Sequence, residues 1–179
     1  EASEADVCVV NTCCVTSQAD RKSRYAIRCV VRQSPRSQVY VTGCYVVYSR
    51  KAVEAIQGVK AVFESQDSDI FLERLLGDKN KACGVNAPVS FFGKHARALL
   101  KIQDGCDNSC SYCIVPVVRG PSRSRDPASI FKEARDLVKT GYKEIVLTGI
   151  CLGSYGTDQN PRADLVDLIE RLESIDGLM

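Results

Sequence analysis

The chain has 179 residues, 45% of them hydrophobic and 26% charged, the balance of a folded globular protein, so disorder is excluded as its main state. Its formal net charge of +2 is too small to identify a nucleic-acid partner, although charge can be concentrated locally. No apolar run reaches membrane-spanning length, and the acidic opening Glu1–Asp6 lacks the apolar core of a signal peptide.

Taken in chain order, short apolar runs alternate with helical patterns. Val7–Asn11 predicts a strand and Thr12–Ser17 a polar turn. A helix follows from about Gln18 to Arg32, with Ser23, Ala26, Ile27 and Val30 on one side and Arg21, Arg24, Arg28 and Arg32 on the other. Ser34-Pro35 stops it. Val39–Thr42 predicts the next strand, ending at Gly43-Cys44, with a short helix at Arg50–Ile56, a strand at Val59–Phe63 and a helix at Asp67–Leu76 closed by Gly77. This order argues for an amino-terminal doubly wound parallel sheet of the α/β class. Residues 77–94, polar with two further glycines and Pro88, read as a linker.

A second unit begins near Ala96. Ala98–Gln103 predicts a strand, and Asp104–Arg125 a long loop holding three cysteines. Pro127 opens a helix that ends near Gly141; Glu144–Thr148 is a strand, Gly149–Gly156 is glycine-rich, and Asp164–Ile175 is a final helix. That is about two units of a (β/α) barrel, which two units cannot close. The chain also opens without Met, directly into a strand, and so reads as a fragment of something larger.

There are ten cysteines and a single histidine, His95. With no secretion signal, and with enough chain to build a core without staples, metal binding or redox chemistry is favoured over disulfides. Cys106, Cys110 and Cys113 form Cys-x3-Cys-x2-Cys in one loop after a strand. Three thiolates suit a 4Fe–4S cluster with one iron open. A structural zinc is the alternative, and it needs a fourth ligand recruited from His95, Cys83 or Cys151. Carboxyl ends of barrel strands are also where barrel active sites lie.

These residues carry a resemblance. Cys-x3-Cys-x2-Cys with Tyr112 before its last cysteine resembles the radical S-adenosylmethionine (SAM) superfamily. Ile114-Val115-Pro116, Arg119-Gly120-Pro121-Ser122-Arg123-Ser124-Arg125 and the segment Leu147–Gly156 are similar to the methylthiotransferase family within it. Asn11-Thr12-Cys13 followed by Val15-Thr16, and Val41-Thr42-Gly43-Cys44, agree. The Arg119–Arg125 and Thr148–Gly156 segments look most like the threonylcarbamoyladenosine (t6A) tRNA branch, more than the isopentenyladenosine or ribosomal-protein aspartate branches.

The resemblance implies an amino-terminal methylthiotransferase domain over 1–80, a linker over 81–94 and the first part of a radical SAM partial barrel over 95–179. It implies methylthiolation of carbon 2 of N6-threonylcarbamoyladenosine at position 37 of tRNA, with SAM, two 4Fe–4S clusters, a reducing electron donor and a cytoplasmic setting without membrane. Cys106, Cys110 and Cys113 match the ligands of the SAM-binding cluster. Cys13 and Cys44 match two ligands of the auxiliary cluster; the family's third lies upstream of both, so that site is expected to be incomplete and the isolated chain inactive in the full reaction.

Other residues read more blandly. Cys8 is a core residue of the first strand, and Cys29 lies between the faces of the first helix. Cys14 is a weaker ligand candidate than its neighbour Cys13, while Cys83 and Cys151 receive no role. His95 is a loop residue rather than a ligand. Gly149 is a candidate for close backbone approach to SAM. Tyr112 suits either stacking on adenine or core packing. Arg21, Arg24, Arg28 and Arg32, and a second cluster of Arg119, Arg123 and Arg125, suit RNA phosphates as well as solvated faces. The rival reading of another class is a non-catalytic zinc module binding nucleic acid through these arginines.

Overall fold

The computed structural model describes residues 5–64 and 96–178. The expected helix Asp67–Leu76, the whole of the expected linker, Cys83 and His95 lie outside the described residues. The chain divides into two compact units, Glu1–Ala87 with Tyr112–Val118, and Pro88–Ser111 with Arg119–Met179.

The first unit is an α/β layer built on a parallel sheet, in agreement with the alternation of its sequence. It runs β1 (Val7–Thr12), α1 (Ser17–Gln33), β2 (Gln38–Gly43), α2 (Cys44–Glu54) and β3 (Val59–Phe63). The strands lie side by side in the order β1-β2-β3, both pairings parallel. Period-two alternation turns Val39 and Val41 into a core completed by Ile27, Tyr45, Val46 and Val53, all at most 4% exposed. Thr16 caps α1 by accepting a hydrogen bond from the Ala19 N–H at 3.1 Å, and Ser34 is its C-cap.

One boundary differs. The short helix expected at Arg50–Ile56 starts six residues earlier, at Cys44, and ends at Glu54. Cys44-Tyr-Val-Val is a β-branched and aromatic run whose helix propensity is poor, but burying Tyr45 and Val46 in the core outweighs it. Gly43 makes the abrupt turn from β2 into α2 at φ +100°, where a Cβ would collide with the Thr12 backbone.

The second unit runs β4 (Ala98–Lys101), β5 (Gln103–Asp104), α3 (Val115–Arg119, whose first four residues cluster with the first unit), β6 (Arg123–Ser124), α4 (Pro127–Lys139), β7 (Ile145–Thr148), a 3-10 turn (Leu152–Ser154) and α5 (Leu165–Glu173). β4 and β7 pair in parallel, Ala98 opposite Ile145 through Lys101 opposite Thr148. Ala98 and Leu100 face inward while Leu99 and Lys101 face out, so one face of this pair rests on Ile130, Ala134, Leu168 and Leu172 of the helices. Asp126 and Asp164 cap α4 and α5 by accepting from the Ser129 and Val166 N–H groups at 2.8 and 2.7 Å.

The loop expected over Asp104–Arg125 is more ordered than the sequence indicates. β5 and β6 pair antiparallel, Gln103 with Ser124 and Asp104 with Arg123, closing the base of the cysteine-bearing segment. The strand expected as one piece over Ala98–Gln103 is divided after Lys101. Two-residue strands are too short to show periodicity, so only the fold reveals this pairing.

Candidate cofactor and metal site

The cysteine segment grows from a polar base. The Cys106 N–H donates to the Gly120 carbonyl at 3.1 Å, and the Ser122 N–H donates to the Asp107 carboxylate at 3.1 Å. Asp104 accepts from Lys101 at 2.8 Å, from the Gly105 N–H at 2.9 Å and from Arg119 at 3.2 Å. Burial pushes the Asp104 carboxyl up, but the Lys101 hydrogen bond and charge, with Gly105 and Arg119, outweigh it and hold it below the usual carboxylate range.

Beneath the base lies Gln103, 1% exposed. Its Nε2 group donates to the Asp104 and Gly105 carbonyls at 3.0 and 2.8 Å and to Ser122 Oγ at 2.9 Å. Its Oε1 accepts from the Ile150 and Cys151 N–H groups at 3.0 and 2.9 Å. Gly149 leaves the room: a Cβ there would lie 3.1 Å from Gln103 Oε1 and 2.8 Å from Leu152. The group that packs against Gly149 is therefore the Gln103 side chain.

Cys110 is exposed, Cys106 and Cys113 are half-buried, and none of the three is in a disulfide. Cys106 and Cys110 belong to the second unit, and Cys113 clusters with the first. Among the described residues no three His, Cys, Asp or Glu side chains are gathered to hold a metal ion. The donor chemistry nevertheless fits an iron–sulfur cluster: three soft thiols within eight residues, none of them buried and none in a disulfide. Tyr112 is 90% exposed, which overturns core packing as its role.

In the first unit, Thr12 pairs with Gly43 across β1 and β2, so Cys13 and Cys44 follow the carboxyl ends of adjacent strands. Ser23 pins Cys13, accepting from its N–H at 3.0 Å and donating to its carbonyl at 2.9 Å. Cys14 and Cys44 are both buried in the apolar core, at 8% and 2% exposure, whereas Cys13 is half-buried. Cys8 and Cys29 are half-buried.

The two arginine groups differ. On α1, Arg21, Arg28 and Arg32 are exposed, and Arg24 pairs with Asp20 at 3.2 Å. In the second group, Arg125 is committed internally: it bonds buried Glu133 at 2.7 Å and the Lys101 carbonyl at 2.8 Å. Grouping it with solvent-facing arginines is therefore corrected. Arg119 engages Asp104, and the exposed Arg123 donates to the Arg119 carbonyl at 3.1 Å.

Sequence reasoning passed over Gln103, Ser122 and Glu133. The one available signal was an amide directly after the strand pattern Ala98–Ile102, since a polar side chain that becomes buried must find partners. Cys151, given no role, sits 3.2 Å from Ser154 Oγ and 4.0 Å from Asn108 Nδ2. No helix among the described residues is long and apolar enough to cross a membrane.

Comparison with known proteins bears on both units. Residues 1–64 match the model of Uncharacterized protein family UPF0004, and residues 100–178 match that of the radical SAM superfamily. The chain is 44% identical over 86% of its length to the threonylcarbamoyladenosine tRNA methylthiotransferase MtaB of Bacillus subtilis (strain 168), covering 37% of that protein. It is 36% identical over 98% of its length to the tRNA-2-methylthio-N(6)-dimethylallyladenosine synthase of Clostridium novyi (strain NT), covering 42% of it. It is 33% identical over 98% of its length to the ribosomal protein uS12 methylthiotransferase RimO of Desulforudis audaxviator (strain MP104C), again covering 42%. The chain spans about two-fifths of the length of these curated relatives. Membership of the radical SAM superfamily implies SAM and a 4Fe–4S cluster. An α/β unit matched by the first model, followed by a radical SAM unit with the three-cysteine loop, places this chain in the radical SAM methylthiotransferase family.

Proposed function

We propose that the protein to which this chain belongs is a tRNA methylthiotransferase that inserts a methylthio group at carbon 2 of N6-threonylcarbamoyladenosine at position 37. The observation that carries the reading is Cys-x3-Cys-x2-Cys on a loop closed at its base by β5 and β6, in a unit matched to the radical SAM superfamily. The t6A substrate is favoured by the Arg119–Arg125 and Thr148–Gly156 segments, with support from the 44% identity over 86% of the chain to the Bacillus subtilis MtaB relative. The domain division 1–80, 81–94 and 95–179 goes with it.

Cys106, Cys110 and Cys113 would hold the SAM-binding 4Fe–4S cluster, three thiolates leaving one iron for SAM. The chemistry supplied when it is bound is one-electron cleavage of SAM to methionine and a 5′-deoxyadenosyl radical, with the electron from an external reductant. The protein's own part is positioning. The base of the loop fixes where Cys106 starts; Gly149–Cys151, whose Ile150 and Cys151 N–H groups are held by Gln103, would turn backbone carbonyls to the amino group of SAM; exposed Tyr112 offers a ring face to adenine. Cys13 and Cys44, at neighbouring strand ends, are assigned to the auxiliary 4Fe–4S cluster that carries the inserted sulfur. Arg21, Arg28 and Arg32 on α1, with Arg119 and Arg123, are the candidates for tRNA phosphates.

The test is anaerobic reconstitution followed by a 5′-deoxyadenosine assay with dithionite. The reading expects SAM cleavage that disappears in Cys106→Ala. A colourless chain holding stoichiometric zinc, with no cleavage, would establish the zinc module instead.

A further inference from the structure

Gln103 has more hydrogen-bonding partners than any strand ladder requires. The side chain is sealed from water, at 1% exposure, and all five of its partners come from three separate segments. Asp104 and Gly105 form the root of the cysteine loop. Ser122 lies on its returning arm. Ile150 and Cys151 open the loop that follows β7.

The amide orientation is dictated by these partners: Nε2, with two hydrogens shared among three acceptors, faces two carbonyls and a hydroxyl, while Oε1 faces two N–H donors. Turning the amide over would put donors against donors and acceptors against carbonyls. Two further features fit this side chain alone. Gly149 lacks the Cβ that would press on Oε1, and Ser122 is itself 6% exposed. A fully satisfied buried network of this kind holds one geometry, because each partner left unpaired costs its desolvation.

We infer that Gln103 is a positioning residue for SAM: it fixes the Gly149–Cys151 backbone against the root of the Cys106–Cys113 loop, so that the two segments meet the ligand in one register. The inference rests on the reading of the cysteine loop proposed above. Gln103 touches neither SAM nor iron; it acts through Ile150, Cys151 and Gly105. No other amino acid supplies donors to two carbonyls and an acceptor to two N–H groups at this reach. Asn is one methylene shorter, and Glu would oppose a carboxylate to two carbonyl oxygens.

The test compares Gln103→Asn and Ser122→Ala with the parent chain, measuring iron content after anaerobic reconstitution, SAM binding by equilibrium dialysis, and amide hydrogen exchange. In Gln103→Asn the Ile150 and Cys151 amides are expected to exchange about tenfold faster or more, while amides in the middle of α4 stay slow. Iron content stays at the parent value and the SAM dissociation constant rises about tenfold or more. Ser122→Ala removes one of three acceptors, so its dissociation constant rises by about twofold. Unchanged exchange at Ile150 and Cys151 overturns the inference, as does faster exchange with unchanged SAM binding, which leaves Gln103 a purely structural residue. If α4 also exchanges fast in Gln103→Asn, the milder Ser122→Ala decides by the same two readouts. A parent chain that holds no iron and binds no SAM defeats the cysteine-loop reading and the SAM role with it. The exchange data then still report whether Gln103 joins the two segments.

Discussion

The two units are held together by different physics. In the first, β2 turns every second residue into an apolar core that β3 and the helices complete, and Ile27, Val41, Val46 and Val53 are fully buried. In the second, β4 and β7 rest on a comparable apolar layer, but the segments around the cysteines are tied by polar groups. Gln103 joins three segments, Arg125 reaches Glu133 and the Lys101 carbonyl, Ser124 accepts from the Gly156 N–H, and Asp158 accepts from the Ser124 N–H. Apolar burial is non-directional and tolerates adjustment. Hydrogen-bonded networks hold one geometry and lose much when a single partner goes. A loop that must present thiols and backbone to a cofactor needs the second kind of support.

The largest contrast is expected between cysteines of the two units. Cys110→Ala should abolish 5′-deoxyadenosine formation, because two thiolates do not hold the cluster in its working geometry. Cys29→Ala, on the flank of α1, should leave it near the parent rate. Equal losses would mean the ligand assignment is wrong.

Stability tests the comparison next. Arg125→Ala breaks the 2.7 Å ion pair with Glu133, whose side chain is 8% exposed, and should cost up to about 3–5 kcal/mol in denaturant unfolding. Replacing both, Arg125→Met with Glu133→Leu, should restore most of that loss, since both charges of the pair are then removed from the interior. Ile27→Ala in the first unit should cost about 2–5 kcal/mol through a cavity, with no comparable rescue from a partner. Arg125→Ala within about 0.5 kcal/mol of the parent would remove the polar half of the contrast.

Among the arginines the effect is smaller and lies in binding. Arg21, Arg28 and Arg32 replaced together by Ala should flatten the salt dependence of tRNA binding by about one log–log unit for each phosphate left without its arginine. Thermal stability should hardly move, since these side chains are exposed. An unchanged slope would make α1 a solvated face.

Smallest is the acid response of the loop base. The Asp104 carboxyl is held below its ordinary value, so its contribution to stability is present above the unfolded carboxylate pKa of about 4 and is lost as pH falls through the depressed folded value. Asp104→Asn should therefore narrow the gap from the parent chain as unfolding is followed from neutral pH into acid. A constant gap would separate Asp104 from the acid transition.

The same contrast explains what was legible in the sequence. Alternating Val39 and Val41, the Ser34-Pro35 stop and the Asp126-Pro127 helix start all report on local periodicity and capping, and each lies where it was expected. The three-cysteine loop was visible because thiol spacing is a local property. The β5–β6 pairing was not, because Gln103 and Ser124 are joined across twenty residues of intervening chain. Arg125 looked like its neighbours Arg119 and Arg123 until the fold brought Glu133 against it. The early start of α2 at Cys44 was hidden for a different reason: burial of Tyr45 and Val46 overrode local propensity.

The central claim is that the Cys106–Cys113 loop holds a cluster open to SAM. Electron paramagnetic resonance of the anaerobically reconstituted, reduced chain, recorded with and without SAM, tests it most directly. The account predicts a 4Fe–4S signal that shifts when SAM is added and that disappears in the Cys106→Ala, Cys110→Ala and Cys113→Ala variants. A signal insensitive to SAM and retained in all three variants, or a chain that takes up zinc and no iron, would contradict it.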